Sequence, residues 1–436
     1  MVGSEMSKKI SILTLVLIGL TMNNTNAKDQ ILERKVLSSK MFNCSDLHSI
    51  NLFIDDDSNI FVAIAVYGEN RYGNYFLCTN NNWQVIDKYG ICLNGFIKDG
   101  QLYLAFENDE DVDIYNIRED IKFVSRIKVK PIRIKGIAHN IISYQSRVIP
   151  VSDGDSSYYY LGDYVKFPAN PLDLVQHFLS GGHGITYRKP VLAEIRDNQM
   201  LEPRKLRYGG KIDETFTIKE AIKGKDSIHF LGFRGAENPK TSGEPRFARD
   251  EPVILHYVDY DLKKKETTRK YSIYENTPRT HKNTKTNFDY GSVSIDNLDD
   301  DIFVVFSWVT ITNYGSGDIK NFKPDVYYWQ YSGDSFGEIE KIGNGFMPLV
   351  KVDSLGSVYV FWVDHDGNLF CKTKKDDKWG KDNFILTGID ILPGFTYTKY
   401  ICAEFDKDDN LHVVFPSNGS LVHAKVKLDV TADKQN

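Results

Sequence analysis

Short apolar runs recur along this chain, and each is entered from a turn rich in Asp, Asn, Ser and Gly. Asp55-Asp56-Asp57-Ser58-Asn59 leads into Ile60-Phe61-Val62-Ala63-Ile64, followed by Gly73-Asn74-Tyr75-Phe76 and then Trp83. The same order returns as Asp353-Ser354-Leu355-Gly356-Ser357 before Val358-Tyr359-Val360-Phe361-Trp362, then Asp366-Gly367-Asn368-Leu369 and Trp379. A third copy runs from Asp406 to Asn410, through Leu411 to Phe415, to Ser417-Asn418-Gly419-Ser420. Weaker copies precede Leu102 to Phe106, Ile228 to Phe233 and Ile302 to Phe306. The turn residues tolerate tight or left-handed backbone, and the runs carry the Val, Ile, Phe, Tyr and Trp of strands. Several runs are apolar on both faces, as expected of a small sheet sandwiched between neighbouring sheets.

A unit of several strands recurring every few dozen residues predicts a β-propeller. A β-sandwich is the alternative, but a sandwich would not repeat one unit so often. The last copy ends one strand short of a four-stranded blade, and the segment from Gln30 to Leu37 has no unit of its own. Pairing that segment as the missing outer strand closes the ring and removes exposed edges. The expectation is therefore an all-β chain, a single propeller of seven blades with eight as the alternative. One helix is predicted: Asn170-Pro171 reads as a cap with proline at the first helical position, and Gly181-Gly182 as the stop. Leu172, Val175 and Leu179 then share its apolar face.

Lys8-Lys9, the apolar run Ile10 to Leu20 and the polar stretch ending at Ala27 read as a secretory leader over residues 1–27. The propeller then occupies residues 28–436, exported to the periplasm or beyond, with no segment for membrane insertion. Composition fits this picture. Hydrophobic residues make up 41% and aromatic residues 13%, enough for a large core, and Tyr and Phe at 25 each favour strands. A formal net charge of −5 argues against a general nucleic-acid binder. The five cysteines show no C-x-x-C spacing, and Cys78–Cys92 is the most economical bridge if one forms.

The Asp-x-x-Gly/Asn-strand turns and segments such as GNLFCKTKKDDKWG resemble the sialidase-like, or BNR-repeat, family of secreted bacterial propellers. The string YRKPVLAEIRDNQ is similar to the [FY]-R-x-P motif of sialidases. That resemblance implies that Arg188 clamps a substrate carboxylate, a task for which a planar guanidinium is suited. Ile228-His229-Phe230-Leu231-Gly232-Phe233-Arg234 reads as an inner strand whose end opens onto the axial cleft. This layout resembles propeller polysaccharide lyases of the ulvan-lyase type. The resemblance implies His or Tyr for proton transfer and Arg to neutralise a uronate. His183, Tyr187, His229 and Arg234 are then the catalytic candidates. The plainer readings are turn residues at the first site and a hydrogen-bonded structural histidine at the second.

Charge distribution adds a direction. Between His183 and Asn287 there are 22 Lys and Arg against 15 Asp and Glu, on a chain that is acidic elsewhere. Two polar stretches in this block, Gly235 to Pro252 and Glu275 to Asp289, read as loops and carry Arg246, Arg249, Arg279, His281, Lys282 and Lys285. A basic region on an acidic exported protein suits an anionic ligand, of which a uronate-bearing or sulfated polysaccharide is the obvious class. A solvated face is the plain alternative. Arg188, Arg204, Arg246, Arg279 and Trp308 are the substrate-binding candidates, and Trp329, Tyr327 and Tyr328 are further stacking surfaces. Trp83, Trp362 and Trp379 fall at repeat positions and read as packing between blades. The Asp-rich turns offer oxygens to Ca²⁺, but turn chemistry explains them, and no cofactor is required. The combined expectation is a monomeric, carbohydrate-active propeller acting on an acidic polysaccharide by lyase-type β-elimination. A non-catalytic binding propeller and a sialidase-like hydrolase are the alternatives.

Overall fold

The computed structural model describes residues 30–37, 47–66, 74–79, 82–86, 91–98, 100–108, 111–117, 121–130, 132–134, 137–139, 141–150, 157–166, 187–206, 215–235, 237–238, 246–247, 253–276, 285–311, 324–333, 335–391 and 401–428. The leader, the helix predicted after Asn170, His183 and Arg279 lie outside the described residues.

Seven antiparallel sheets form the seven blades of a propeller, six of them ordered from axis to rim as the chain runs. Blade 1 is Leu47–Ile54, Ile60–Val66, Asn74–Thr79 and Asn82–Ile86, and blade 2 runs from Ile91–Lys98 to Ile121–Lys128. Blade 3 begins with Ile141–Pro150, Tyr158–Lys166 and Tyr187–Arg196, and two short strands share its rim position. Blade 4 is Thr215–Lys223, Ser227–Gly235, Val253–Asp261 and Glu266–Asn276. Blades 5 and 6 start at Lys285–Leu298 and Phe346–Val352. Blade 7 takes Cys402–Phe405, Asn410–Ser417 and Ser420–Lys427 from the end of the chain, and Gln30–Val36 completes it. That last strand pairs antiparallel from Gln30↔Lys427 to Val36↔Val422, as expected from the strand the last unit lacked. First strands adjoin one another all round the ring, with Cys402–Phe405 meeting Leu47–Ile54.

The repeated turns have one construction. The carboxylates of Asp55, Asp353 and Asp406 each accept the backbone N–H groups two and four residues on, at 2.7 to 3.0 Å. The residue three on, Ser58, Gly356 or Asp409, takes a left-handed φ of 63°, 82° or 54°. Asp supplies the acceptor and the small or polar residue supplies the handedness, which is why the motif survives in sequence. The strand that follows is the second from the axis. It is buried on both faces, as in Val358–Val363, because each blade packs against two others. Hydrophobic clusters accordingly fill the spaces between blades: Phe61 and Leu77 of blade 1 pack with Leu102 and Tyr115 of blade 2, and Phe216 and Val258 of blade 4 pack with Leu161 and Leu192 of blade 3.

Tryptophans also join blades. Trp379 donates to Glu340 Oε2 at 2.8 Å and stacks edge-on against Tyr328 of blade 5. Trp83 donates to the carbonyl of Leu37. Cys78 is a buried thiol that forms no disulfide, so the conditional Cys78–Cys92 bridge is not made. Trp329 and Tyr328 are fully buried in the blade interfaces, so they offer no stacking surface to a sugar.

Candidate functional site

Successive strands of a meander run in opposite directions, which sorts the connections by face. Turns from first to second and from third to fourth strand lie on one face, and they are tight: Asp55 to Asn59, Asp197-Asn198, Asp353 to Ser357, Asp376-Asp377 and Asp406 to Asn410. Connections from second to third strand, and from blade to blade, lie on the other face. These include 167–186, 236–252 and 387–401, the longest in the chain, as well as 312–323 and 277–284. Long connections over a rigid scaffold are where binding surfaces form.

Five candidates are placed on this long-connection face, on three consecutive blades. Tyr187 and Arg188 open the third strand of blade 3, opposite Lys166 and Val165. They are strand residues rather than the turn residues of the plainer expectation. Arg234 nears the end of the second strand of blade 4, between Phe216 and Ile254. Arg246 belongs to a two-strand hairpin in the connection that follows, paired with Asn238. Trp308 sits in blade 5 between Phe288 and Asp325. Lys285, read from sequence as a loop residue, begins the innermost strand of blade 5 and pairs with Ile311. His183 and Arg279 fall in the connections 167–186 and 277–284, outside the described residues.

His229 lies elsewhere. Its strand is second from the axis, because Thr215–Lys223 is the innermost strand of blade 4, and His229 pairs with Ile222 and Asp259 beside the tight turn. Arg234 is five residues along the same strand, about 16 Å away towards the opposite face. The ring is 2% exposed, stacks on Tyr257, and is hydrogen-bonded to Tyr257 Oη at 2.7 Å and Ser227 Oγ at 2.8 Å. Burial lowers the His229 pKa and pushes the Tyr257 phenol far above its usual range.

The same construction recurs in blade 7. His412 occupies the equivalent position, stacked on His423, and its Nδ1 lies 2.9 Å from His423 Nε2. Its Nε2 donates to Asp406 Oδ2 at 3.0 Å, so Nδ1 accepts from His423. Tyr359 fills the position in blade 6 and donates to Asp353 at 2.9 Å. His229 is thus one instance of a repeated, buried polar contact beneath the tight turns. Arg204 also lies away from the axis, on the rim of blade 3 opposite Leu192 and within hydrogen-bonding reach of the Tyr260 hydroxyl.

Sequence reasoning missed the polar groups around the axis. Innermost strands are edge strands, so half of their backbone groups have no ladder partner. Side chains from neighbouring blades supply one. Asn94 donates to the carbonyl of Val148 and accepts from its N–H, both at 2.8 Å. Ser294 and Asp296 accept from the N–H groups of Val350 and Val352 at 3.3 and 3.1 Å. Cys402 Sγ reaches the carbonyl of Ile50. Near the tight-turn end, Lys351 of blade 6 pairs with Glu404 of blade 7. Burial works against the Lys351 charge, but Glu404 and Asp296 outweigh it and hold the ammonium above the usual lysine range. Among the described residues no group of three or more His, Cys, Asp and Glu has metal-holding geometry.

The fold and its two unlike faces define a seven-bladed propeller whose longest connections share one side. The structure is similar to that of the polysaccharide lyase Uly1, with a TM-score of 0.50 and 7% identity over 87% of this chain and 89% of that one. It is also similar to a PL25 ulvan lyase, with a TM-score of 0.49 and 11% identity over 89% and 98% of the two chains. A third similar structure is the α-L-arabinofuranosidase Arb93A from Fusarium graminearum, with a TM-score of 0.42 and 11% identity over 91% and 98%. At such identities the likeness speaks to fold alone. No protein-family model and no curated protein sequence matches the chain.

Proposed function

We infer that the chain is an exported, monomeric propeller enzyme that cleaves an acidic polysaccharide by β-elimination, on its long-connection face over blades 3 to 5. The carrying observation is the placement of Tyr187, Arg188, Arg234 and Trp308 on one face of three consecutive blades, within the basic stretch His183 to Asn287 or just beyond it. Sharing a fold with a polysaccharide lyase supports the same reading.

The chemistry dictates the roles. A base removes the proton next to the uronate carboxylate, and the electron pair forms a carbon–carbon double bond as the C4–O bond breaks. The departing sugar oxygen then takes a proton. Carbanionic charge develops on the carboxylate, so a guanidinium that offsets it lowers the barrier. Arg188 and Arg234 take that role, and Arg246 and Arg279 extend the basic path for the chain. Tyr187 and His183 exchange the proton, and Trp308 offers a ring face to a sugar. His229 has no part in this chemistry, because its ring is occupied within blade 4.

The test incubates the protein with ulvan, alginate, pectin and glycosaminoglycans while following the ultraviolet absorbance of unsaturated uronate ends. Rising absorbance that is lost in Arg234→Ala and His183→Ala supports the reading. New reducing ends or released sialic acid without absorbance make the chain a hydrolase. Retention on a glycan without any product makes it a binding propeller.

A further inference from the structure

We propose that the rim cleft between blades 3 and 4 is a second ligand site that takes one neutral pyranose unit. The cleft has a volume of about 180 Å³ and lies between the third strand of blade 3, its rim, and the end of the third strand of blade 4. Sites for drug-sized molecules run from about 300 Å³ upward, so this one has room for a single sugar ring.

Its floor is built of Tyr159, Tyr260 and Leu192, all buried. Leu201 and Leu262 continue the apolar wall towards solvent. Polar groups surround that wall. Tyr159 is only 8% exposed, yet its hydroxyl has no hydrogen bond to any described residue, and it lines the cleft. Burial and then the nearby Glu194 carboxylate raise its pKa, so it stays a neutral donor and acceptor. That hydroxyl reaches the cleft's solvent, where a ligand's hydroxyl can take the place of water as its hydrogen-bond partner. Arg204 stands beside the Tyr260 hydroxyl. Lys265 is held in a left-handed turn with its ammonium 3.8 Å from Glu194 Oε2.

The charges select the ligand class. Arg204 and Lys265 are offset by Glu194 and Glu202 on the same walls, so the cleft has no net sign with which to attract a phosphate, sulfate or carboxylate. Donors and acceptors distributed around an apolar wall match a sugar, which presents C–H faces as well as hydroxyls that both donate and accept. Lys265 ends the turn between third and fourth strands of blade 4, so the cleft belongs to the tight-turn side, away from Tyr187 and Arg234. The inference therefore does not rest on the proposed elimination, and a chain that cleaves nothing can still bind here.

The experiment is a titration of the full chain with methyl glycosides of glucose, galactose, mannose, rhamnose and xylose, read by saturation-transfer NMR and calorimetry. Methyl glucuronide, inorganic phosphate and sulfate serve as anionic probes. At least one neutral glycoside is expected to bind saturably with a dissociation constant of about millimolar. Tyr159→Phe keeps the ring and loses the hydroxyl, Arg204→Ala clears one wall, and Leu201→Trp fills the cleft. Each is expected to weaken binding tenfold or more, and Leu201→Trp, at an exposed position, leaves the melting temperature unchanged. No binding of any neutral glycoside overturns the proposal, as does binding of the anionic probes alone. Binding that none of the three variants changes overturns it too, because the sugar would then sit elsewhere.

Discussion

The three Asp turns share one backbone design but differ in what else the carboxylate holds, and that difference sets a graded prediction. Asp55 accepts from Asp57 N, Asn59 N and Asn59 Nδ2, all in exposed surroundings. Asp353 is buried and also accepts from Tyr359 Oη. Asp406 is buried as well, and its two oxygens accept from Asp408 N, Asn410 N, Asn410 Nδ2, His412 Nε2 and Lys425 Nζ. Truncation of Asp55 to Ala is expected to cost about 1 kcal/mol, the net worth of exposed turn hydrogen bonds. Asp353→Ala leaves a buried phenol and a buried N–H without their acceptor, so about 2–3 kcal/mol is expected. Asp406→Ala removes the buried carboxylate of a half-buried ion pair and strands the buried His412 and Asn410, for about 3–4 kcal/mol. Urea unfolding at neutral pH gives the midpoints. Asp406→Asn, which keeps an acceptor and loses the charge, should fall between wild type and Asp406→Ala. Equal midpoints for all three Ala variants, or the largest loss at Asp55, would refute the reasoning.

Two further predictions concern the axis and the buried histidines. Asn94→Ala removes both bonds to the Val148 edge, and is expected to destabilise by about 1–3 kcal/mol in the same urea assay, with Asn94→Asp intermediate. The pH prediction follows from His412 and His423. Burial lowers both pKa values, and the neighbouring His412 charge adds to the effect on His423, which falls from 6.5 to about 4. The unfolded chain therefore binds more protons than the folded chain between these values. Stability is full above pH 6.5 and is lost as pH falls towards 4, by up to about 3 kcal/mol for His423. The Asp406 carboxyl is held below its usual range, so its contribution is lost only at still lower pH. Urea midpoints measured from pH 7.5 to 4 should show this slope, and His423→Phe should flatten it.

The local features were legible because they are written in contiguous residues. The Asp turns fix their own backbone within five positions, and the apolar run after each is long enough to announce a strand. The role of Gln30–Val36 followed from counting strands in the last unit. The place of His229 did not follow, for a physical reason. The most hydrophobic strand of a blade is the second, packed between two neighbouring sheets, whereas the innermost strand of blade 4, Thr215–Lys223, is more polar and less conspicuous. Reading the apolar run as innermost moved His229 one strand inward. It also joined His229 to Arg234, although the strand carries them to opposite faces. The contacts from Asn94, Ser294, Asp296 and Cys402 were unreadable, since each joins residues more than fifty positions apart through the packing of one blade beside the next. Arg204 was singled out as a basic residue, and its place in a rim cleft depends on blade 4 packing beside blade 3.

The most direct test of the site's location compares two residues of one strand. Turnover of a uronate polysaccharide would be measured for wild type, Arg234→Ala and His229→Phe, each checked for an unchanged melting transition. Phe is chosen because Phe61 holds the equivalent place in blade 1. A site on the long-connection face predicts that Arg234→Ala lowers the rate by a hundredfold or more, as expected for loss of a charge-stabilising group worth about 3 kcal/mol, while His229→Phe turns over as wild type does. Loss of activity in a folded His229→Phe, with Arg234→Ala unaffected, would place the chemistry on the tight-turn face and contradict this assignment.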